Sequence, residues 1–207
     1  MTDRRKTRIS SRKHPKQARS AELVGAILEA AVQVLVKDGA KRFTTARVAE
    51  RAGVSVGSLY QYFPNKAAIL FRLQSDEWRQ TVALLRTVLE EDRSPPLERL
   101  RTLVHVFIRS ECDEAALRAA LEEAAPLYEN APEAVESRTA ARHSLDAFLR
   151  EALPDASDET RASAGYLILT TLRAVGQTFS ETPRTHAEIE AFSSATADMF
   201  CAYLESL

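Results

Sequence analysis

One short stretch of the chain carries side chains whose chemistry suits the binding of nucleic acid. Hydroxyl and cationic groups bind phosphate oxygens, a glutamine amide pairs with an adenine edge, and an aliphatic side chain can meet a thymine methyl. These groups lie between residues 44 and 66, and they are Thr44, Thr45, Arg47, Ser55, Val56, Ser58, Tyr60, Gln61, Tyr62 and Lys66. The set predicts recognition of a duplex.

The elements that must position these groups are two short helices joined by a tight turn. Ala49 is followed four residues later by Gly53 and then, six residues further, by Leu59. This is the spacing of a helix-turn-helix. Gly53 is expected to end the first helix in the left-handed conformation, which glycine adopts without a steric penalty.

Each helix of the motif has a residue that can cap its N-terminus. Thr44 or Thr45 can cap the first helix and Ser55 the second, because a hydroxyl oxygen accepts a hydrogen bond from an otherwise unpaired N–H. The second helix is then predicted over residues 56–62. The alternative is a helical hairpin with no role in recognition, which would leave the rest of the pattern unexplained.

A helix of this kind, inserted in the major groove, turns its N-terminal residues to base edges and its flanks to phosphate. Base reading is expected from Ser55, Val56, Gly57, Ser58 and Gln61. Arg47, on the first helix of the motif, either contacts a phosphate or a guanine or is an exposed residue that only adds positive charge.

The net charge of −1 conceals a strong asymmetry along the chain. Residues 1–66 hold fourteen Lys and Arg against five Asp and Glu, whereas residues 67–207 hold fourteen against twenty-four. The basic N-terminal part indicates a nucleic-acid-binding region. The acidic remainder would repel phosphate, so it is not expected to bind nucleic acid itself.

Residues 1–19 are basic and lack apolar periodicity, so we predict a disordered arm. It either follows the DNA backbone or minor groove, or is a loose tail that raises non-specific affinity, and we favour the tail. The following helix is expected to begin at Ser20 and end at Gly39, and to pack with the motif as a three-helix head closed by Phe43 and Phe63.

The motif closely resembles the N-terminal domain of TetR-family transcriptional regulators over about residues 20–70. The residues that carry the resemblance are Ile27, Leu28, Ala30, Ala31, Gly39, Thr44, Thr45, Val48, Ala49, Ala52, Gly53, Val54, Ser55, Gly57, Leu59, Tyr60, Tyr62, Phe63 and Lys66. The resemblance implies hydroxyl contacts from Thr45 and Tyr60 to phosphate, an ionic contact from Lys66 and a backbone contact from Tyr62.

The remaining chain predicts an all-α body and about nine helices in total. A long helix over residues 66–91 would link the head to this body. Further helices are predicted over residues 96–112, 113–125, 132–153, 159–180 and 185–206, from apolar spacing and from proline and polar breaks. We divide the chain into an arm (1–19), a DNA-binding domain (20–66), and a ligand-binding and dimerisation domain (67–207).

The last two predicted helices suggest a subunit interface. Residues 164–176 are almost all apolar or small, and a helix that is apolar all round must be buried on all sides. In the proteins that the chain resembles, these helices form a four-helix bundle with their partners. The alternative is that they only complete the monomer core. A two-fold dimer predicts a near-palindromic operator, because it places two recognition helices about 34–36 Å apart.

Polar and aromatic residues in the body helices are candidates for a ligand pocket, although each is more often structural or on the surface. They are Trp78, His105, Arg109, Tyr128, His143, Phe148, Tyr166, Thr170 and Arg173. The family resemblance implies such a pocket, and its ligand, expected to be hydrophobic or aromatic, would change the spacing of the two heads and release DNA.

Signatures of other classes are missing from the sequence. The four histidines are scattered, no phosphate-binding glycine motif or nucleophile elbow occurs, and no apolar run is long enough to span a membrane. We therefore expect a cytoplasmic, ligand-responsive repressor without catalytic activity, metal or cofactor. The alternatives are a DNA-binding protein of the same fold controlled by a protein partner, and a helical enzyme in which the motif is incidental.

Overall fold

The computed structural model describes residues 18–122 and 131–207, and this part of the chain contains nine helices and no strand. The helices are α1 (Ala18–Arg42), α2 (Thr45–Arg51), α3 (Val56–Tyr62), α4 (Lys66–Leu89), α5 (Pro96–Asp113), α6 (Ala115–Glu122), α7 (Pro132–Ala152), α8 (Asp158–Ser180) and α9 (His186–Glu205). The predicted all-α fold of about nine helices is confirmed. None of the helices described is long and apolar enough to cross a membrane.

Helices α2 and α3 begin where the capping residues predict. The Thr44 side chain accepts a hydrogen bond from the Arg47 N–H, and that of Ser55 accepts one from the Ser58 N–H. Gly53 has a φ of 66°, in the left-handed region that glycine adopts freely. Local hydrogen bonding thus fixes the first turn of each of the two helices.

The long helix of α1 ends at Gly39, as predicted. Gly39 has φ 73° and ψ 167°, outside the helical region, and residues 40–42 follow it as a separate short helical turn. The range Ala18–Arg42 therefore contains a break at Gly39.

The first compact unit consists of the described residues of Met1–Trp78 and Ala116–Ala134. Its core joins the buried faces of α1, α2 and α3 to the first half of α4. The fully buried side chains at its centre include Ile27, Leu35, Phe43, Val48, Leu59 and Phe63. Leu121 of α6 is buried in the same core. Phe43 and Phe63 close the head as expected.

The second compact unit consists of Arg79–Ala115 and Val135–Leu207. Helix α5 packs against both α8 and α9. A Cβ atom built on Gly176 would lie only 3.0 Å from Phe107 Cε1 and 3.0 Å from Glu111 Cγ, so the glycine permits the close approach of α8 to α5. Cys201 is buried and Cys112 is half-buried, and burial raises the pKa of both thiols.

Helix α8 is buried on one side only within this single chain. Ala164, Ile168 and Leu172 face the core, but Tyr166 is 71% exposed and Leu167 is 45% exposed. The face of α8 that carries Tyr166 and Leu167 is therefore an exposed apolar face of the single chain.

Candidate nucleic-acid interface

The turn between α2 and α3 brings together two hydroxyl groups predicted to bind phosphate. The Thr45 Oγ1 and Tyr60 OH atoms are 3.1 Å apart, and either can donate the hydrogen bond. Tyr60 is 39% exposed, and Thr45 is half-buried. One of the two hydroxyl protons is used in this bond, so the pair as placed can donate one further hydrogen bond to a phosphate oxygen.

The exposed side of α3 includes a glycine among larger residues. Val56 is 39% exposed, and Gly57 and Gln61 are also exposed. A Cβ atom on Gly57 would meet only Ser55 Oγ, at an ordinary 3.8 Å, so packing within the chain does not require glycine there. Because glycine has no side chain, it adds no bulk to this face of α3, which is the face predicted to approach the base pairs.

The two serines predicted to read bases bond to one another. Ser55 Oγ accepts a hydrogen bond from the Ser58 N–H at 3.0 Å and lies 2.8 Å from Ser58 Oγ. Ser55 is exposed and Ser58 is half-buried. Capping occupies Ser55 Oγ, and Ser58 Oγ bonds to it, so both hydroxyls have partners within the chain. Val56 and Gln61 are the exposed side chains of the predicted base-reading set that take no part in these bonds.

Arg47 forms an ion pair across the head. Its Nη1 atom lies 2.8 Å from Asp38 Oδ2 on α1, and its side chain remains 38% exposed. Arg51, one turn further along α2, likewise donates from Nε to Gln33 Oε1 on α1. The guanidinium groups of α2 thus face α1, and Arg47 retains donors that could reach a phosphate.

The far end of the motif leads directly into α4. Asn65 Oδ1 accepts a hydrogen bond from the Ala68 N–H at 2.9 Å, which caps α4. Lys66 follows and is exposed, while Tyr62 is half-buried against the core of the head. The ammonium group of Lys66 is therefore accessible to a polyanion, as is part of the Tyr62 ring.

Among the candidate ligand residues, the structure brings His105 and Arg109 together. Both lie on α5 beside Glu190 of α9, with His105 Nδ1 at 3.4 Å from Glu190 Oε2 and Arg109 bonded to the other carboxylate oxygen. His105 Nε2 is 3.5 Å from Ser194 Oγ. The Arg109 hydrogen bond lowers the pKa of Glu190. These contacts tie α5 to α9 at the protein surface.

The other candidate ligand residues occupy different environments. Phe148 is buried, with the guanidinium carbon of Arg99 at 5.6 Å from its ring centre. Trp78 packs edge-on against Phe71, with ring centres 6.5 Å apart. The exposed candidates are His143, Tyr166, Thr170 and Arg173. Tyr128 and the predicted basic arm, through residue 17, lie outside the described residues.

Arg99 is a buried arginine that the sequence pattern did not predict. Arg99 is only 3% exposed, donates from Nη1 to the Leu89 carbonyl oxygen at 2.6 Å, and places Nη2 at 2.5 Å from Glu151 Oε1. It thereby holds the C-terminal end of α4 to α5 and α7. The feature of the sequence that could have indicated its burial is its position beside Leu100, on the apolar side of α5.

In residues 18–122 and 131–207, no group of three His, Cys, Asp or Glu side chains is arranged to hold a metal.

Two family models match the chain. Residues 27–73 match the model for bacterial regulatory proteins of the tetR family, and residues 95–207 match the tetracyclin repressor-like C-terminal domain. The nucleoid occlusion factor SlmA of Vibrio campbellii is 31% identical over 105 residues, which is 50% of this chain and 53% of that protein. The chain thus spans about half the length of this curated relative.

Two solved structures show the same fold. The TetR-family regulator PfmR from Thermus thermophilus aligns with a TM-score of 0.68 and 23% identity, over 84% of this chain and 96% of that chain. The regulator FadR from Bacillus subtilis, solved in complex with stearoyl-CoA, aligns with a TM-score of 0.66 and 18% identity, over 86% and 98%. At these identities the likeness shows the fold alone.

The C-terminal family model covers more than half of the chain, and the N-terminal model covers the helix-turn-helix whose geometry is described above. The chain belongs to the TetR family of bacterial transcriptional regulators, and the sequence resemblance is confirmed.

Proposed function

We propose that the protein is a homodimeric repressor that binds a near-palindromic operator through α3 and leaves it when a small hydrophobic or aromatic molecule binds. Residues 20–66 read the DNA, and residues 67–207 bind the ligand and the second subunit. The repressor works in the cytoplasm, where the bacterial chromosome lies, and its activity requires no catalytic step.

The observation that carries the DNA-binding part is the surface formed by α3 and the start of α2. The Thr45 and Tyr60 hydroxyls lie 3.1 Å apart beside the exposed Val56 and Gln61, and Lys66 is exposed at the other end. Phosphate donors thus flank side chains that suit an adenine edge and a thymine methyl. The proposed DNA contacts are Thr44, Thr45, Arg47, Ser55, Val56, Gly57, Ser58, Tyr60, Gln61, Tyr62 and Lys66.

The exposed faces of α8 and α9 support the dimer. On α8, Tyr166 and Leu167 are exposed, and on α9 Met199 is 50% exposed. Ala191 and Ala195 continue the α9 face as small exposed residues at helical spacing. A second copy of the chain can bury these faces by close helix packing, which large apolar side chains in water favour.

The ligand part of the proposal rests on the fold shared with FadR, which was solved with stearoyl-CoA. A thermal-shift screen of hydrophobic and aromatic compounds tests it, because a ligand that binds the native state raises the melting temperature by mass action. We expect at least one compound both to raise the melting temperature and to release bound DNA. Stabilisation without release would contradict the proposal.

A second candidate function is DNA binding controlled by a protein partner. The similarity to SlmA, a nucleoid occlusion factor, favours it. If no compound shifts the melting temperature while the chain binds specific DNA, this second function replaces the first.

A further inference from the structure

Helix α1 ends in two exposed basic residues next to the predicted phosphate contacts. Lys41 and Arg42 are both exposed, and they precede Thr44 and Thr45 directly in the chain. Within residues 18–122 and 131–207, neither side chain forms an ion pair or a hydrogen bond. Their charges are thus available to a polyanion from outside the chain.

The backbone holds these residues at the edge of the recognition surface. Gly39, with a φ of 73°, interrupts α1 and redirects the short segment that follows it. Phe43, which is fully buried, anchors the chain between Arg42 and Thr44, and its N–H bonds the Ala40 carbonyl oxygen at 3.4 Å. The segment is therefore a fixed turn with its basic side chains outside.

The Thr45–Tyr60 hydrogen bond places the start of α2 beside the middle of α3. Arg42 is three residues from Thr45, so their Cα atoms are at most about 11 Å apart. Duplex DNA carries one phosphate per about 3.4 Å of axis on each strand, and the strand also winds around the axis, so such a span reaches from one phosphate to the next one or two of the same strand. A phosphate run that reaches Thr45 can thus continue to Arg42 and Lys41.

The basic residues of α2 are less available to bind phosphate than Lys41 and Arg42. Arg47 is paired with Asp38, and Arg51 donates to Gln33, so both guanidinium groups are directed to α1. Lys66 follows α3 in the chain, at the start of α4. Basic groups at the end of α1 would add phosphate contacts next to Thr44 and Thr45, which precede the recognition helix in the chain.

We propose that Lys41 and Arg42 form a phosphate-binding edge that extends the DNA interface beyond the helix-turn-helix. The inference rests on the proposed function, since it requires that α3 faces a duplex. The edge binds the sugar-phosphate backbone of any sequence, so it contributes affinity and register and reads no base.

The test is the salt dependence of binding to a random-sequence DNA duplex by the full chain, between about 50 and 200 mM salt. Each lost phosphate contact makes the slope of log K against log salt shallower by about 0.9 per bound protomer. We expect K41Q/R42Q to lose about 1.8 of slope per protomer and roughly tenfold in affinity for each contact at about 0.1 M salt. The conservative variant K41R/R42K should keep the original slope.

The matched control is R86Q/R93Q, which removes two positive charges from exposed residues of the second compact unit. It should leave the slope unchanged, and all variants should keep the thermal melting profile of the original chain. An unchanged slope in K41Q/R42Q, or an equal change in R86Q/R93Q, would overturn the inference. A parent chain whose binding does not respond to salt would instead overturn the proposed function.

Discussion

At the scale of single residues, capping and recognition compete for the same hydroxyl groups. Ser55 and Ser58 bond to each other at 2.8 Å, and the Ser55 hydroxyl also accepts from the backbone of α3. A side chain that holds the helix end has less capacity to bond a base. Gln61 has no such duty in the described residues and is exposed, so it is the amide best placed to select an adenine.

Replacement of Gln61 by alanine should relax base preference at one position of each half-site, because the bidentate amide contact discriminates by about 1–3 kcal/mol.

Replacement of Lys66 by alanine should weaken binding to all sequences alike, because the lysine is predicted to contact phosphate. The slope of log K against log salt concentration should fall by about 1. Binding of both variants to a library of duplex sequences distinguishes these outcomes. A uniform loss for Gln61→Ala would remove it from base reading.

At the scale of elements, the sequence was sufficient where structure is local. The bounds of α3 and the capping by Thr44 and Ser55 follow from hydrogen bonds between residues three apart in the chain. The break in α1 at Gly39 also followed, because glycine adopts a positive φ without a steric penalty. The short helical turn over residues 40–42 was not predicted.

The candidate ligand residues could not be placed from sequence, since they lie on several helices whose rotations are set by packing. His105 and Arg109 share one face of α5 at a spacing of four residues, and they do meet the same carboxylate. Phe148 and Tyr166 lie on different helices, and one is buried while the other is exposed. Helical periodicity predicts which residues share a face of one helix. It does not predict which residues of different helices meet in one site.

Two glycines of the motif should respond oppositely to alanine. Gly53→Ala should destabilise the chain by about 1–2 kcal/mol, because an L-residue is strained at a φ of 66°. Gly57→Ala should be neutral or stabilise by up to about 1 kcal/mol, because its Cβ has room and alanine favours helix. Urea unfolding measures both. Equal stability of Gly53→Ala and the parent would show that the turn adapts.

Measuring both the stability and the DNA affinity of Gly57→Ala distinguishes an effect on folding from an effect on DNA recognition. We expect Gly57→Ala to bind DNA more weakly although it is no less stable, since the added methyl group stands on the face that approaches the bases. Unchanged DNA affinity of Gly57→Ala would mean that this face of α3 does not enter the groove.

At the scale of the whole molecule, the two ends of the chain carry opposite charge. Residues 1–66 have a net charge of +9 and residues 67–207 one of −10. Such a distribution attracts DNA to the reading end and repels it from the remainder. A single motif reads only a few base pairs, so selectivity depends on a second copy.

Leu167→Lys should separate the dimer, because it places a charge on the exposed apolar face of α8. The control is Val135→Lys on α7, since Val135 is similarly exposed at 49%. Sedimentation velocity should give twice the 23.0 kDa chain mass for the parent and the control, and the monomer mass for Leu167→Lys. A dimeric Leu167→Lys would place the interface elsewhere.

The most direct test of dimeric operator recognition is the selection of binding sites from a library of random-sequence duplex DNA by the full chain. The proposed function predicts enrichment of an inverted repeat whose half-sites are centred about one helical turn, or a multiple of it, apart. Enrichment of a single half-site, or of no sequence at all, would contradict it.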